Sequence, residues 1–117
     1  MKQIRRYILI LLLLSALLAG CVQEPQVREI TLIAEDIHWS QTVIEAKVGE
    51  TLEITIRNDG ALDHDFVIEE LDIHILLSPG QQTTVTIEAT EPGIIDFICN
   101  IPGHLDAGME GQIVISE

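Results

Sequence analysis

The chain has 117 residues, of which 47% are hydrophobic and 3% aromatic, and its formal net charge is −13. That length suits a single domain, and so acidic a chain excludes nucleic acid as a partner and repels anionic headgroups. Three of the six basic residues, Lys2, Arg5 and Arg6, lie within the first twenty, so residues 21–117 are three charges more negative, at −16. Such acidity serves one of two ends: steering a cationic protein partner, or keeping the protein soluble in a salty or otherwise unusual habitat.

The three cations precede an unbroken apolar run, 8–14, and then the small-residue stretch Ser15-Ala16-Leu17-Leu18-Ala19-Gly20-Cys21. Residues 1–20 therefore read as a secretion signal. Leu18-Ala19-Gly20-Cys21 resembles the lipobox of bacterial and some archaeal lipoproteins, which implies that Cys21 becomes the lipidated first residue of the mature chain. The alternative is an uncleaved anchor, but the run is shorter than the roughly 20 residues that a spanning helix needs. The chain is expected to be exported and held at a membrane surface, on the cell exterior or the periplasmic face. Residues 21–27, polar and interrupted by Pro25, read as a tether, and 28–117 as the folded domain.

Beyond the tether, apolar and β-branched residues alternate between short turn signals. Strands are predicted at 29–35, 42–46 and 51–57, the last ending at the turn Asn58-Asp59-Gly60. Further strands follow at 65–68 and at 72–77, which Ser78-Pro79-Gly80 stops, and at 82–89, which is followed by the turn Glu91-Pro92-Gly93. The last two are 94–99 and 112–115. Seven or eight short strands with no convincing helix predict an all-β sandwich of roughly 95 residues. With so few aromatic residues, its core must come mainly from Ile, Val and Leu.

Between the last two strands, Cys99, His104 and Met109 follow a C-x4-H-x4-M spacing. A second imidazole, His64, stands where the turn after Asn58 gives way to an apolar strand. Two His, one Cys and one Met are the donors of a trigonal copper site with a weak axial thioether. A disulfide is the competing use for Cys99 in an exported protein. The other cysteine, Cys21, has no thiol to offer once lipidated, which leaves an oxidation-prone free thiol, an intermolecular disulfide or a bound metal.

These segments are similar to those of the cupredoxins, the plastocyanin and azurin class of small blue copper proteins. Asn58 through Phe66 resembles the family's N-x-G-x-x-x-H-x-F pattern, and Gly108-Met109-Glu110-Gly111 its G-M-x-G closure. The ligand spacing is closest to the longer loops of rusticyanin and sulfocyanin. The resemblance implies a Greek-key sandwich with one type 1 copper at one pole. His64, Cys99 and His104 would form the trigonal plane, and Met109 the axial donor that tunes the potential. It also implies that the backbone N–H of Asp65 points at the thiolate and that its side chain ties the two ligand loops together; an ordinary strand-edge carboxylate is the alternative. Pro102 and Gly103 would shape the loop. His38 and His74 match no ligand position and are expected to be polar surface or strand residues.

Three functions compete. The first is a membrane-tethered, monomeric carrier of single electrons. It would dock basic redox proteins, such as c-type cytochromes or an oxidase, through apolar residues near the site: Leu62, Ile101, Pro102, Leu105 and Ala107. The second is an exported copper-delivery protein, a class that often uses more open, Met-rich or His-rich sites, whereas Met1 and Met109 are the two methionines here. The third, an enzyme, needs another metal centre and an open coordination position, so none is expected. A binuclear copper centre needs a second cysteine on the loop, where position 103 is Gly.

Overall fold

The computed structural model describes residue 1, residue 24 and residues 26–117. The secretion signal, Cys21 and most of the tether fall outside the described residues. The rest folds as two sheets. β1 (Gln26–Glu35), β2 (His38–Trp39), β4 (Glu50–Asn58) and β7 (Gln82–Glu88) make a four-stranded sheet in the order β2-β1-β4-β7. β3 (Val43–Lys47), β5 (His64–Ile68), β6 (Ile73–Leu77), β8 (Gly93–Ile98) and β9 (Glu110–Ser116) make a five-stranded one in the order β3-β9-β8-β5-β6. Pairing is parallel between β1 and β4 and between β3 and β9, and antiparallel elsewhere. A single 3-10 turn, Glu69–Leu71, separates β5 from β6.

Alternation explains the layers. In β4, Leu52, Ile54 and Ile56 are fully buried while the residues between them are partly exposed, the period-two pattern of a strand with one wet face. Leu32 of β1, Ile87 of β7 and Ile113 of β9 meet the same interior, so the core is Ile- and Leu-rich as composition requires. Its centre is aromatic. Trp39 meets Phe66 and Phe97 edge-on at 5.9 and 6.0 Å between ring centroids, and the two phenylalanines lie 5.5 Å apart. Three rings in mutual contact bury a large area and add pair preferences of about 0.5–1.5 kcal/mol each.

The eight predicted strands are present, with ends displaced by one to three residues. A ninth, β2, was not expected: His38 and Trp39 reverse onto the end of β1, pairing Trp39 with Ala34 and His38 with Glu35. β1 also starts at Gln26, so Gln26 and Val27, assigned to the tether from sequence, pair with Glu50 and Thr51. Extended backbone continues wherever a neighbouring strand offers hydrogen bonds, whether or not the residues are polar.

Gly111 in β9 sits against the aromatic centre. A methyl at that position would lie 2.3 Å from the Phe97 ring and 2.8 Å from the Thr42 carbonyl oxygen. Both neighbours are fixed, one by core packing and one by backbone. Gly111→Ala is therefore expected to lower stability by about 1–3 kcal/mol through overpacking, read as a shift in the urea midpoint at unchanged slope.

Candidate metal centre

His64 opens β5 and Cys99 immediately follows β8, and these two strands are adjacent and antiparallel through Val67 and Ile98. Phe66 lies two residues after His64, and Phe97 two before Cys99. Since side chains alternate with period two, an inward Phe66 and Phe97 force His64 and Cys99 inward as well, at the same end of the sheet. Both are fully buried. The apolar centre thus forms the floor on which the two donors stand.

The loop after Cys99 delivers the other two. The Cys99 N–H donates to the Met109 carbonyl at 2.9 Å, the Met109 N–H to the His104 carbonyl at 3.0 Å, and the His104 N–H to the Ile101 carbonyl at 2.9 Å. Gly103 and Gly108, with φ of +86° and +91°, directly precede His104 and Met109. A side chain is strained in that left-handed region, and glycine is not. Each glycine turns the chain so that the following residue points back into the molecule. Met109 is fully buried and His104 is 7% exposed.

The Cys99 Sγ lies 3.4 Å from Nδ1 of His104 and 3.8 Å from Nδ1 of His64. The donor atoms of all three residues fall within 4.8 Å of one another. Bonds of about 2.0–2.3 Å to imidazole and thiolate, spread at 120°, require donors roughly 3.5–3.8 Å apart. The sulfur-to-nitrogen spacings fit that requirement, so His64, Cys99 and His104 would together hold one ion.

Electrostatics favour the same use. Burial, reinforced by the neighbouring His104, holds His64 below its ordinary pKa, although Asp36, Asp63 and Asp65 pull the other way. The ring is neutral and free to donate a lone pair. Burial pushes the Cys99 thiol up and the Asp65 carboxylate adds to this, while the backbone N–H groups of Asp65 and Ile101 favour its thiolate. Metal uptake there must displace a proton.

Two polar residues hold the pole together. Asp65, 4% exposed, accepts the Asn100 N–H through Oδ1, so it links β5 to the ligand loop rather than lying at an open strand edge. Asn58, fully buried, occupies the inward position after Ile56. Its Nδ2 donates to the Leu62 and Leu77 carbonyls at 2.8 and 2.9 Å, and its Oδ1 accepts the Gly60 N–H at 3.0 Å. In the sequence Asn58 marks a turn and opens the N-x-G-x-x-x-H-x-F pattern; in the fold its side chain also pins the 59–63 loop leading to His64. His38 bonds Glu35 at 2.6 Å on the surface, and His74 bonds Asp65 at 2.9 Å. The latter contact was not expected, and only the shared outer face of β5 and β6 reveals it.

A β-sandwich with one Cys, two His and one Met gathered at a pole defines the class of small copper proteins. The family profile described as a cupredoxin-like domain matches residues 8–115, and the chain belongs to that family. Copper is the metal that the family and this donor chemistry define. Among characterised proteins the chain is similar to the copper-resistant cuproprotein CopI of Pseudomonas aeruginosa, at 23% identity over 75% of this chain and 76% of that one. The CopI of Rubrivivax gelatinosus is 24% identical over 72% of this chain and 63% of its own length. The fold is similar to that of auracyanin from Roseiflexus castenholzii (TM-score 0.66, 21% identity, 76% of this chain and 97% of that one). It is also similar to rusticyanin from Thiobacillus ferrooxidans (TM-score 0.66, 20% identity, 78% of each chain).

Two outcomes follow from this geometry. Asn58→Ala leaves two carbonyls and one N–H without their partner, and is expected to cost about 2–3 kcal/mol in chemical denaturation. For His64, the folded pKa lies below the unfolded value of 6.5. Stability from the neutral ring is then fully present above about pH 6.5 and is lost as pH falls through the folded pKa. Metal-free protein should lose stability more steeply on acidification below that value than His64→Gln does, measured as denaturant midpoint against pH.

Proposed function

We propose that this protein is a membrane-tethered carrier of single electrons in which His64, Cys99, His104 and Met109 hold one copper. The carrying observation is the close set of donor atoms, with Cys99 Sγ 3.4 and 3.8 Å from the two Nδ1 atoms, built on strand ends and a hydrogen-bonded loop. When bound, copper supplies a one-electron couple. The chain's own residues then hold a fixed plane that suits both charge states, exclude water by burial, and leave little to rearrange.

His104 is the most exposed of the four residues and the natural edge for an electron to cross. Around it the loop presents Pro102, Leu105 and Ala107, all exposed, with Leu62 exposed on the loop before His64. Ile101 is only partly exposed. Such an apolar rim suits a short-lived protein complex, and the −13 charge of the whole chain favours a basic partner. Four donors drawn from one domain, all of them buried, give no open position for a substrate, which argues against an enzyme. The signal and Cys21 support export and a lipid tether.

A copper-resistance role is the second reading, because the two characterised relatives are named copper-resistant cuproproteins. It is compatible with the same donors. A carrier must exchange its electron quickly with a basic redox protein, whereas a resistance protein need only hold the metal.

Residues 26–117 loaded with one equivalent of Cu(II) should show an intense thiolate-to-copper band and narrow hyperfine splitting in electron paramagnetic resonance. Cys99→Ser should abolish both; a pale signal that survives in Cys99→Ser would overturn the site. Electron exchange with a basic cytochrome should slow as salt rises and slow further in Leu105→Glu, while unchanged rates would favour the resistance role. Mass spectrometry of the membrane-extracted chain should find lipid on Cys21, and an intact leader would remove the tether.

A further inference from the structure

His74 lies on β6, ten residues from the nearest donor in sequence, with a side chain 64% exposed. Its Nε2 is 2.9 Å from Oδ2 of Asp65, whose side chain is only 6% exposed. The other oxygen of Asp65 accepts the N–H of Asn100, the residue after Cys99. A surface imidazole is therefore joined to the loop that carries the thiol through one buried carboxylate.

The register explains the contact. Asp65 pairs with Leu76 and Val67 with His74, so Asp65 and His74 are diagonal neighbours on the outer face of the five-stranded sheet. Long side chains reach across such a diagonal. Among the described residues His74 is the only basic side chain within ion-pair distance of Asp65. A carboxylate taken out of water needs hydrogen-bond partners on both oxygens. Held at one oxygen only, Asp65 can swing away from Asn100. Held at both, it is a fixed strut between β5 and the ligand loop.

We infer that His74 is a positioning residue of the metal centre: it locks Asp65 from outside and thereby fixes the Asn100 amide next to Cys99. It touches no donor atom. Its effect on the metal rests on the copper reading above, but its effect on the loop does not.

Two substitutions separate positioning from bulk stability. Gln retains a donor that reaches Asp65, and Phe retains a strand-compatible bulk without one. In metal-free, nitrogen-15-labelled protein, amide hydrogen exchange at Asn100 should be at least about tenfold faster in His74→Phe than in wild type. His74→Gln should restore it, while amides of β4 stay unchanged in both. His74→Ala provides the same comparison should the Phe variant fail to fold. Equal Asn100 exchange in wild type, His74→Gln and His74→Phe would overturn the inference. In copper-loaded protein, His74→Phe should shift the thiolate-to-copper band and lower the potential, because a less compensated carboxylate favours the more charged Cu(II), and His74→Gln should return both toward wild type. A band and potential unmoved by His74→Phe would overturn the link to the metal. A wild type with no such band would instead overturn the copper reading and leave the amide result standing.

Discussion

Everything at the pole depends on the register between β5 and β8. A strand shows opposite faces at successive residues, so a slip of one position would turn one strand over, sending His64 or Cys99 to the outer face and bringing its neighbour Asp65 or Asn100 inside. The aromatic centre resists that slip. Phe66 and Phe97 sit on the inward stripes that continue into His64 and Cys99, and both pack on Trp39. The apolar core and the donor set are therefore two parts of one pattern.

A second requirement is that polar groups entering this dry region be satisfied by the protein itself. Asn58 meets it with three hydrogen bonds that close the loop before His64. Asp65 meets it by accepting from Asn100 and from His74. Burial also sets the protonation states, a neutral imidazole at His64 and a thiol at Cys99 before metal enters. Rigidity and donor chemistry have the same cause, since the apolar surroundings that fix the side chains also remove the water that would otherwise solvate their charges.

Much of this was legible in the residues. The strict alternation of 51–57 marked a half-wet strand, and the four donors stood out because their types and spacing jointly match a copper site. Other features were written in a form that local reading cannot separate. Asn58-Asp59-Gly60 is a turn signal, yet Asn58 is also the last inward residue of β4, and only the packed loop distinguishes the two roles. Trp39 belongs to a strand of two residues, too short for periodicity to mark, though it anchors the core. The partnership of His74 with Asp65 depends on the β5–β6 pairing, which brings together residues nine apart in sequence. Whether Asp65 is an edge carboxylate or a link is decided by its hydrogen bond from the Asn100 N–H, which only the packed loop supplies.

The hydrogen bond from the Cys99 N–H to the Met109 carbonyl has a consequence for how such proteins diversify. It joins the chain's entry into the ligand loop to its exit, and β8 and β9 run paired from that point through to Gly93 and Ile115. Residues 100–108 therefore form a closed cassette on a clamped base. The entropic cost of a longer loop grows only slowly with its length, so residues can be added or removed between Cys99 and Met109 while the two sheets below keep their register. The surroundings of His104 can then vary with the cassette, while the sheets and the clamped base keep His64, Cys99 and Met109 in place.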